Sequence, residues 1–223
     1  MIFLKIISMS DSMNKKVSII DYGLCNLYNV MAAFESIGAS VEFVDSKEKI
    51  SDAQYLVLPG VGAFKDGMTL LTKKGLANEI VNHIHSNKPF LGICLGMQMM
   101  FDKSFEFGEH SGLGVINGNV IKIPDIGSDM VKHKIPHIGW NNLVLNKNIP
   151  KNLINLASNN DSMYFVHSFM ADKVDNDNVF AHVDYNGIQI PSIITIKKSI
   201  GCQFHPEKSG KHGLSLLRNF LNL

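Results

Sequence analysis

The sequence predicts an α/β fold: an open, mainly parallel sheet flanked by helices, with added antiparallel strands in the second half. Three observations predict it. The first half alternates short β-branched runs with helical patterns, the signature of βαβ units. The runs "YLVL" (55–58) and "FLGI" (90–93) lack polar alternation, so these strands are covered on both faces. After Phe101 come short extended segments separated by Gly, Asn and Asp, which read as antiparallel hairpins beside the parallel core.

Taken in order, "VSIID" (17–21) is the first strand and "NLYNVMAAFESIG" (26–38) the first helix, with Gly38 where a left-handed C-cap is expected. "SVEFVD" (40–45) and "AQYLVLPG" (53–60) are strands, followed by one helix from about Lys65 to Ser86. "PFLGIC" (89–94) is a strand and "LGMQMMF" (95–101) a helix. The second-half strands are "GVINGNVIKI", "HIGWNNLVL", "SMYFVHSF", "NVFAHVDYNG", "IPSIITIKKS" and "IGCQFHPE", and "GLSLLRNFLNL" closes the chain as an amphipathic helix.

With 223 residues, 45% of them hydrophobic, and no linker-like stretch, the chain reads as one domain over 15–223. Because the first convincing strand begins at Lys16, residues 1–14 read as a poorly ordered N-terminal extension, or as a start assigned upstream of Met9 or Met13; without a basic leading region or a cleavage site they do not read as a signal peptide. The 21 basic and 20 acidic residues nearly cancel, which removes the electrostatic case for nucleic acid or anionic membrane as partners. No apolar run approaches the length of a membrane span. Three widely spaced cysteines make no disulfide framework and suit a reducing compartment, so the expected location is cytoplasmic.

"GICLG" has the spacing of a nucleophile elbow with a thiol at its centre. Gly92 and Gly96 remove side chains where strand and helix meet, and the helix opening at Leu95 turns its positive end to Cys94, favouring thiolate. The Leu95 N–H is then a natural oxyanion donor. The pentapeptide alone leaves Cys94 either a packed core thiol or a nucleophile. "QFHPEKSG" adds a general base, His205, and an acceptor to orient it, Glu207. Residues two apart in an extended segment point the same way, and Pro206 favours extension; Cys202 and Phe204 then face the core. "LVLPGVGAF" (56–64) leaves a buried strand through two glycines, exposing backbone N–H groups at the sheet edge where such folds bind ligands.

"DYGLCNL", "LPGVGAF", "KPFLGICLGMQ", "PHIGWN", "YFVHSF" and "QFHPEKSG" occur in the order found in class I glutamine amidotransferases, whose sheet is flavodoxin-like. From about Val17 to the last residue the chain resembles, within that class, the glutaminase subunits of imidazole glycerol phosphate synthase. The resemblance implies that Cys94 attacks the side-chain amide of glutamine, His205 protonates the leaving ammonia and Glu207 orients His205. It implies substrate contacts from Gln98, from Gly60, Val61 and Gly62, from Leu95, and from the backbone at Ser168 and Phe169. It implies no cofactor and no metal. Ammonia would pass to a cyclase barrel subunit in a heterodimer, with Asn26, Trp140, Asn141 and Lys208 facing that partner.

"DYGLCNL" departs from the family pattern, with Leu24 and Cys25 where small residues are usual. That leaves open a paralogue supplying ammonia to amidinate a surface-polysaccharide sugar. A γ-glutamyl hydrolase, a cysteine peptidase of similar fold and a non-catalytic binding subunit are further readings. "PHIGWN" and "HPEKSG" speak against the first two, and the complete triad against the third. A metal site has little support among the nine histidines: His83 and His85 face apart on a helix, and Pro136 interrupts "HKIPH".

Overall fold

A computed structural model describes residues 15–128, 130–146, 153 and 155–223, so the expected extension over 1–14 lies outside the described residues. β1 (Lys16–Ile20) leads through α1 (Leu27–Ser36) to β2 (Ser40–Val44). Then come α2 (Lys47–Asp52), β3 (Tyr55–Leu58), α3 (Phe64–Lys73), α4 (Ala77–His85), β4 (Phe90–Ile93) and the one-turn α5 (Leu95–Gln98). The second half runs β5 (Phe101–Ser104), β6 (His110–Ser111), β7 (Ile116–Lys122), β8 (His137–Asn142), β9 (Val144–Leu145), β10 (Ser162–His167) and β11 (Phe169–Asp172). It continues with β12 (Val179–Tyr185), β13 (Ile188–Ile196), β14 (Ser199–Cys202) and α6 (Gly210–Leu221).

The main sheet has the order β2-β1-β3-β4-β14-β13-β12-β9. Its first five strands are parallel and the rest antiparallel. Strand residues alternate between two cores, as the both-faced apolar runs require. Val17, Ile19, Val57, Leu91 and Ile93 pack toward Phe34 of α1 and Leu217 and Phe220 of α6. Ile20, Leu56, Leu58 and Phe90 pack toward Phe64, Leu71 and Ile80 of α3 and α4. An antiparallel ribbon, β8 with β10, and a four-stranded sheet, β11-β7-β5-β6, complete the molecule.

The first helix ends as expected. Gly38 takes φ +90°, and the N–H groups of Gly38 and Ala39 reach the carbonyls of Glu35 and Phe34. The same motif divides the helix expected over 65–86. Gly75 takes φ +69°, its N–H meets Thr72 O, and Leu76 N–H meets Leu71 O. The signal, "KKG" closing a basic last turn, was present in the sequence. The unanticipated α2 starts at Ser46, whose side chain accepts from Lys49 N–H.

The helix expected over 95–101 stops at Gln98, because the carbonyls of Met99, Met100 and Phe101 accept from the N–H groups of Leu113, Val115, Ile116 and Gly114. The chain therefore turns into β5, which pairs parallel with β7. The second half is accordingly not antiparallel throughout: β14 also enters the main sheet parallel to β4, Cys202 opposite Ile93.

Two close approaches hold α5 against the sheet. A Cβ on Gly96 would fall 1.8 Å from Leu58 O, and one on Gly92 would fall 2.8 Å from Gly96 O. Gly96→Ala is therefore expected to cost more than about 3 kcal/mol in urea unfolding, as overpacking against an immovable backbone does. Gly23→Ala, at φ +105° with nothing within 4 Å, should cost only about 1–2 kcal/mol of backbone strain.

Candidate active site

β4 and β14 lie side by side and parallel, so the residues following each emerge at the same edge of the sheet. Cys94 follows β4; Gln203, Phe204 and His205 follow β14. The Cys94 N–H donates to Cys202 O at 2.7 Å, which prolongs the strand pairing by one bond and fixes the thiol-bearing residue. Cys94 takes φ 53° and ψ −107°, a conformation that costs a non-glycine residue about 1–3 kcal/mol and that the flanking contacts impose. This is the strained strand-to-helix turn expected of "GICLG". The helix behind it is a single turn, so the dipole argument for thiolate weakens and the decisive electrostatic partner is His205.

His205 is 3% exposed, and its Nδ1 lies 2.7 Å from Glu207 Oε1. The pairing has a different local cause from the one expected. Pro206–Lys208 is a 3-10 turn, not an extended segment, and it folds Glu207 back onto the imidazole. Strand β10 clamps this turn from both ends: His205 N–H donates to Tyr164 O at 3.0 Å, and Tyr164 N–H to Ser209 Oγ at 3.0 Å. Helix α6 approaches from behind through Gly213, where a Cβ would fall 2.0 Å from Pro206 O. Burial alone would lower the His205 pKa. Hydrogen bonding to the Cys94 thiol and to the Glu207 carboxylate overcomes that and raises it to about 10. The site thus holds an imidazolium between a sulfur and a carboxylate. Cys202, fully buried, is pushed up by desolvation and is inert, as expected of its core position.

Cys94 and His205 open into a pocket of about 440 Å³ lined also by Val61, Gly62, Leu95, Gln98, Ser168 and Phe169. A larger groove of about 600 Å³, between α3, α4 and β6, contains no cysteine and lies apart from this chemistry. Gly60 sits beneath the pocket, where a Cβ would meet the Tyr22 hydroxyl at 2.5 Å. The Val61 N–H, expected to face the site, instead donates to Leu24 O at 3.2 Å. Of the residues expected at a partner face, Asn26 is exposed at the start of α1 and makes no capping bond. Trp140 is 55% exposed on β8, and Lys208 is exposed in the turn after His205. Asn141 alternates to the opposite side of β8 from Trp140 and donates to Asp184 O.

Sequence reasoning did not assign Glu106, His167 or Phe107, which also line the pocket. Glu106 accepts from Phe64 N–H at 2.6 Å, capping α3 from a loop 42 residues away; no local pattern in "FEFGE" announces that. His167 was within a noted motif without a role. Its Nδ1 lies 2.8 Å from Phe169 O, which can only accept, so Nδ1 carries the proton and Nε2 accepts from His137 Nδ1 at 2.9 Å. His137 Nε2 is then bare and buried without a partner. His83 donates from its buried Nε2 to Pro89 O, a core role, while His85 is exposed.

Burial holds both neutral imidazoles down, His137 to about 4 and His167 to about 3, the raised His205 adding to it for His167. Folded pKa values below the unfolded value of about 6.5 mean that the unfolded chain takes up protons first as pH falls. Stability is thus expected to decline from about pH 6.5 toward pH 4. His167→Asn should flatten that slope in urea titrations; an unchanged slope refutes the assignment.

The family model described as Glutamine amidotransferase class-I matches residues 18–223. Imidazole glycerol phosphate synthase subunit HisH 1 of Legionella pneumophila (strain Lens) is 49% identical over 218 residues, 93% of this chain and 99% of that protein. The HisH subunit of Caldanaerobacter subterraneus subsp. tengcongensis is 44% identical over 204 residues, 92% and 96% of the two chains. Among solved structures, PurLQS from Thermotoga maritima superposes with TM-score 0.71 at 20% identity over 94% of this chain and 99% of that one, which speaks for the fold alone. A crystal structure of a glutamine amidotransferase superposes with TM-score 0.70 at 17% identity, over 92% and 97%. The chain belongs to the class I glutamine amidotransferases and, within them, to the family of imidazole glycerol phosphate synthase HisH subunits.

Proposed function

We propose that this chain is the glutaminase subunit of imidazole glycerol phosphate synthase, acting in histidine biosynthesis. It hydrolyses glutamine to glutamate and passes the ammonia to a cyclase barrel subunit. The observation that carries this reading is the buried Cys94, His205 and Glu207 set at the edge of the sheet, in a chain 49% identical to a HisH subunit over nearly its whole length. Neither a surface-polysaccharide sugar as acceptor nor a free-standing γ-glutamyl hydrolase or peptidase is favoured, because relatives 44–49% identical over nearly the whole chain are HisH subunits.

In this reading Cys94 Sγ attacks the side-chain amide carbon, and the C–N bond breaks as the His205 imidazolium gives its proton to the departing ammonia. Neutral His205 then takes a proton from the water that hydrolyses the thioester. Glu207 accepts His205 Nδ1–H and holds the ring in place throughout. Leu95, which lines the pocket directly after Cys94, supplies its N–H as an oxyanion donor. Glu106 is the carboxylate lining the pocket, and it is suited to the substrate's α-ammonium. Gln98, Gly62, Ser168 and Phe169 shape the rest of the seat.

The partner is a cyclase barrel. Ile138 and Trp140 of β8 with Val166 of β10 form an exposed apolar face, and Tyr164 of the same ribbon holds the His205 backbone. Asn26 and Lys208 are the exposed polar candidates for that interface; Asn141 would support it from behind. The Val61 N–H, engaged with Leu24 O, is not presented to the substrate, which supports a glutaminase completed by its partner. The unpaired Cys25, Cys94 and Cys202 suit the cytoplasm.

Cys94→Ala is expected to abolish glutamine hydrolysis while leaving ammonia-driven synthesis by the complex intact; glutaminase activity surviving in that variant sinks the reading. Because one oxyanion donor is worth about 10²–10³ in rate, the isolated chain should turn over glutamine about a hundredfold slower than the complex. Equal rates would remove the case for partner completion.

A further inference from the structure

The buried polar groups around Cys94 include one that the hydrolysis described above does not use. Gln203 is fully buried immediately before Phe204 and His205, and its Nε2 lies 3.9 Å from Cys94 Sγ, within reach of the large sulfur acceptor. We infer that Gln203 is a further catalytic residue: an amide donor that stabilises the Cys94 sulfur as the leaving thiolate when the glutamyl thioester is hydrolysed. This inference rests on the glutaminase reading.

The amide's orientation is dictated by its neighbours. Phe169 O can only accept, and it receives His167 Nδ1–H at 2.8 Å and Gln98 Nε2–H at 3.2 Å. Gln98 therefore cannot flip, since its own oxygen would then face that carbonyl. Its second N–H donates to Gln203 Oε1 at 3.1 Å. Gln203 must accept on that side, which leaves Nε2 aimed at the sulfur. A chain of committed donors thus runs from His167 and Phe169, in the wall of the pocket, through Gln98 to the nucleophile.

The chemistry of the second half-reaction gives this donor its use. Water's oxygen bonds to the thioester carbon while its proton passes to His205; the C–S bond then breaks, and Sγ departs with the electron pair as thiolate. His205 is engaged as the base at that stage. Gln203 does not titrate and gives up no proton, so it can stabilise the negative sulfur at every turnover. The same bond slightly blunts the thiolate as an attacking group, so its removal should leave the first half-reaction nearly unchanged and slow the second.

The test is steady-state glutaminase kinetics of the full chain in complex with its cyclase partner, with acid quench and intact mass to count thioester. Gln203→Met keeps length and volume without a donor. It is expected to lower kcat about tenfold, the range of a hydrogen bond to a charged group. KM should fall in parallel, kcat/KM should stay within about threefold, and thioester should accumulate. Gln203→Leu should do the same, and either variant decides if the other fails to assemble. Three results overturn the inference: kcat and KM both within twofold of wild type; a loss confined to kcat/KM without thioester accumulation; or failure of both variants to assemble, which makes Gln203 a packing residue. Glutamine hydrolysis surviving Cys94→Ala instead refutes the glutaminase reading itself.

Discussion

The site depends on one pairing, the parallel alignment of β14 beside β4. Cys94 and His205 are 111 positions apart in the sequence, and no local propensity brings them together. The register that sets Cys202 opposite Ile93, extended by Cys94 N–H to Cys202 O, ends both strands at the same level. Everything chemical follows from what each chain does on leaving that edge. β4 passes into a single helical turn, and β14 into a short run and a 3-10 turn. Antiparallel β13 returns the chain so that β14 can enter in the parallel sense, which makes the hairpin part of what brings His205 beside Cys94.

Close backbone approach is the second constraint, and it explains the glycines that matter. The α5 turn packs on β3 so tightly that Gly96 leaves no room for a methyl group beside Leu58 O, and α6 packs on the His205 turn through Gly213 in the same way. These contacts fix Cys94 and His205 independently from opposite sides of the sheet. Cys94 then pays its positive φ from the surrounding packing, since a residue so confined has no relaxed alternative.

Much of this was legible in the sequence for identifiable reasons. The strands of the parallel core were visible as uninterrupted apolar runs, and the first helix end as Gly38. The turn at Cys94 was legible because it is local, and the pairing of His205 with Glu207 because the two lie two residues apart. The geometry of that pair was less legible: extension and a tight turn both bring Glu207 to His205, and only the clamp from Tyr164 and Ser209 selects the turn. Glu106 and the His137–His167 pair were illegible because their meaning lies in partners 30 or more residues away. The missed division at Gly75 is different: the capping signal was there, and helical periodicity on both sides hid it.

The histidines near the site show how partners, and not residue type, assign charge. His205 faces a sulfur and a carboxylate, both of which reward a proton, and it is raised to about 10 despite its burial. His167 is buried too, but it faces a carbonyl on one nitrogen and an imidazole on the other. Desolvation therefore prevails, and the positive His205 nearby lowers it further, to about 3. The two environments push apart the pKa values of chemically identical groups. A neutral His167 is what the neighbouring architecture requires. A protonated ring would carry a second N–H on Nε2, facing the N–H on His137 Nδ1, and the bond between the two imidazoles would be lost in that arrangement. The raised pKa of His205 and the lowered pKa of His167 are thus linked, since a positive His205 helps to keep the imidazole beside it uncharged.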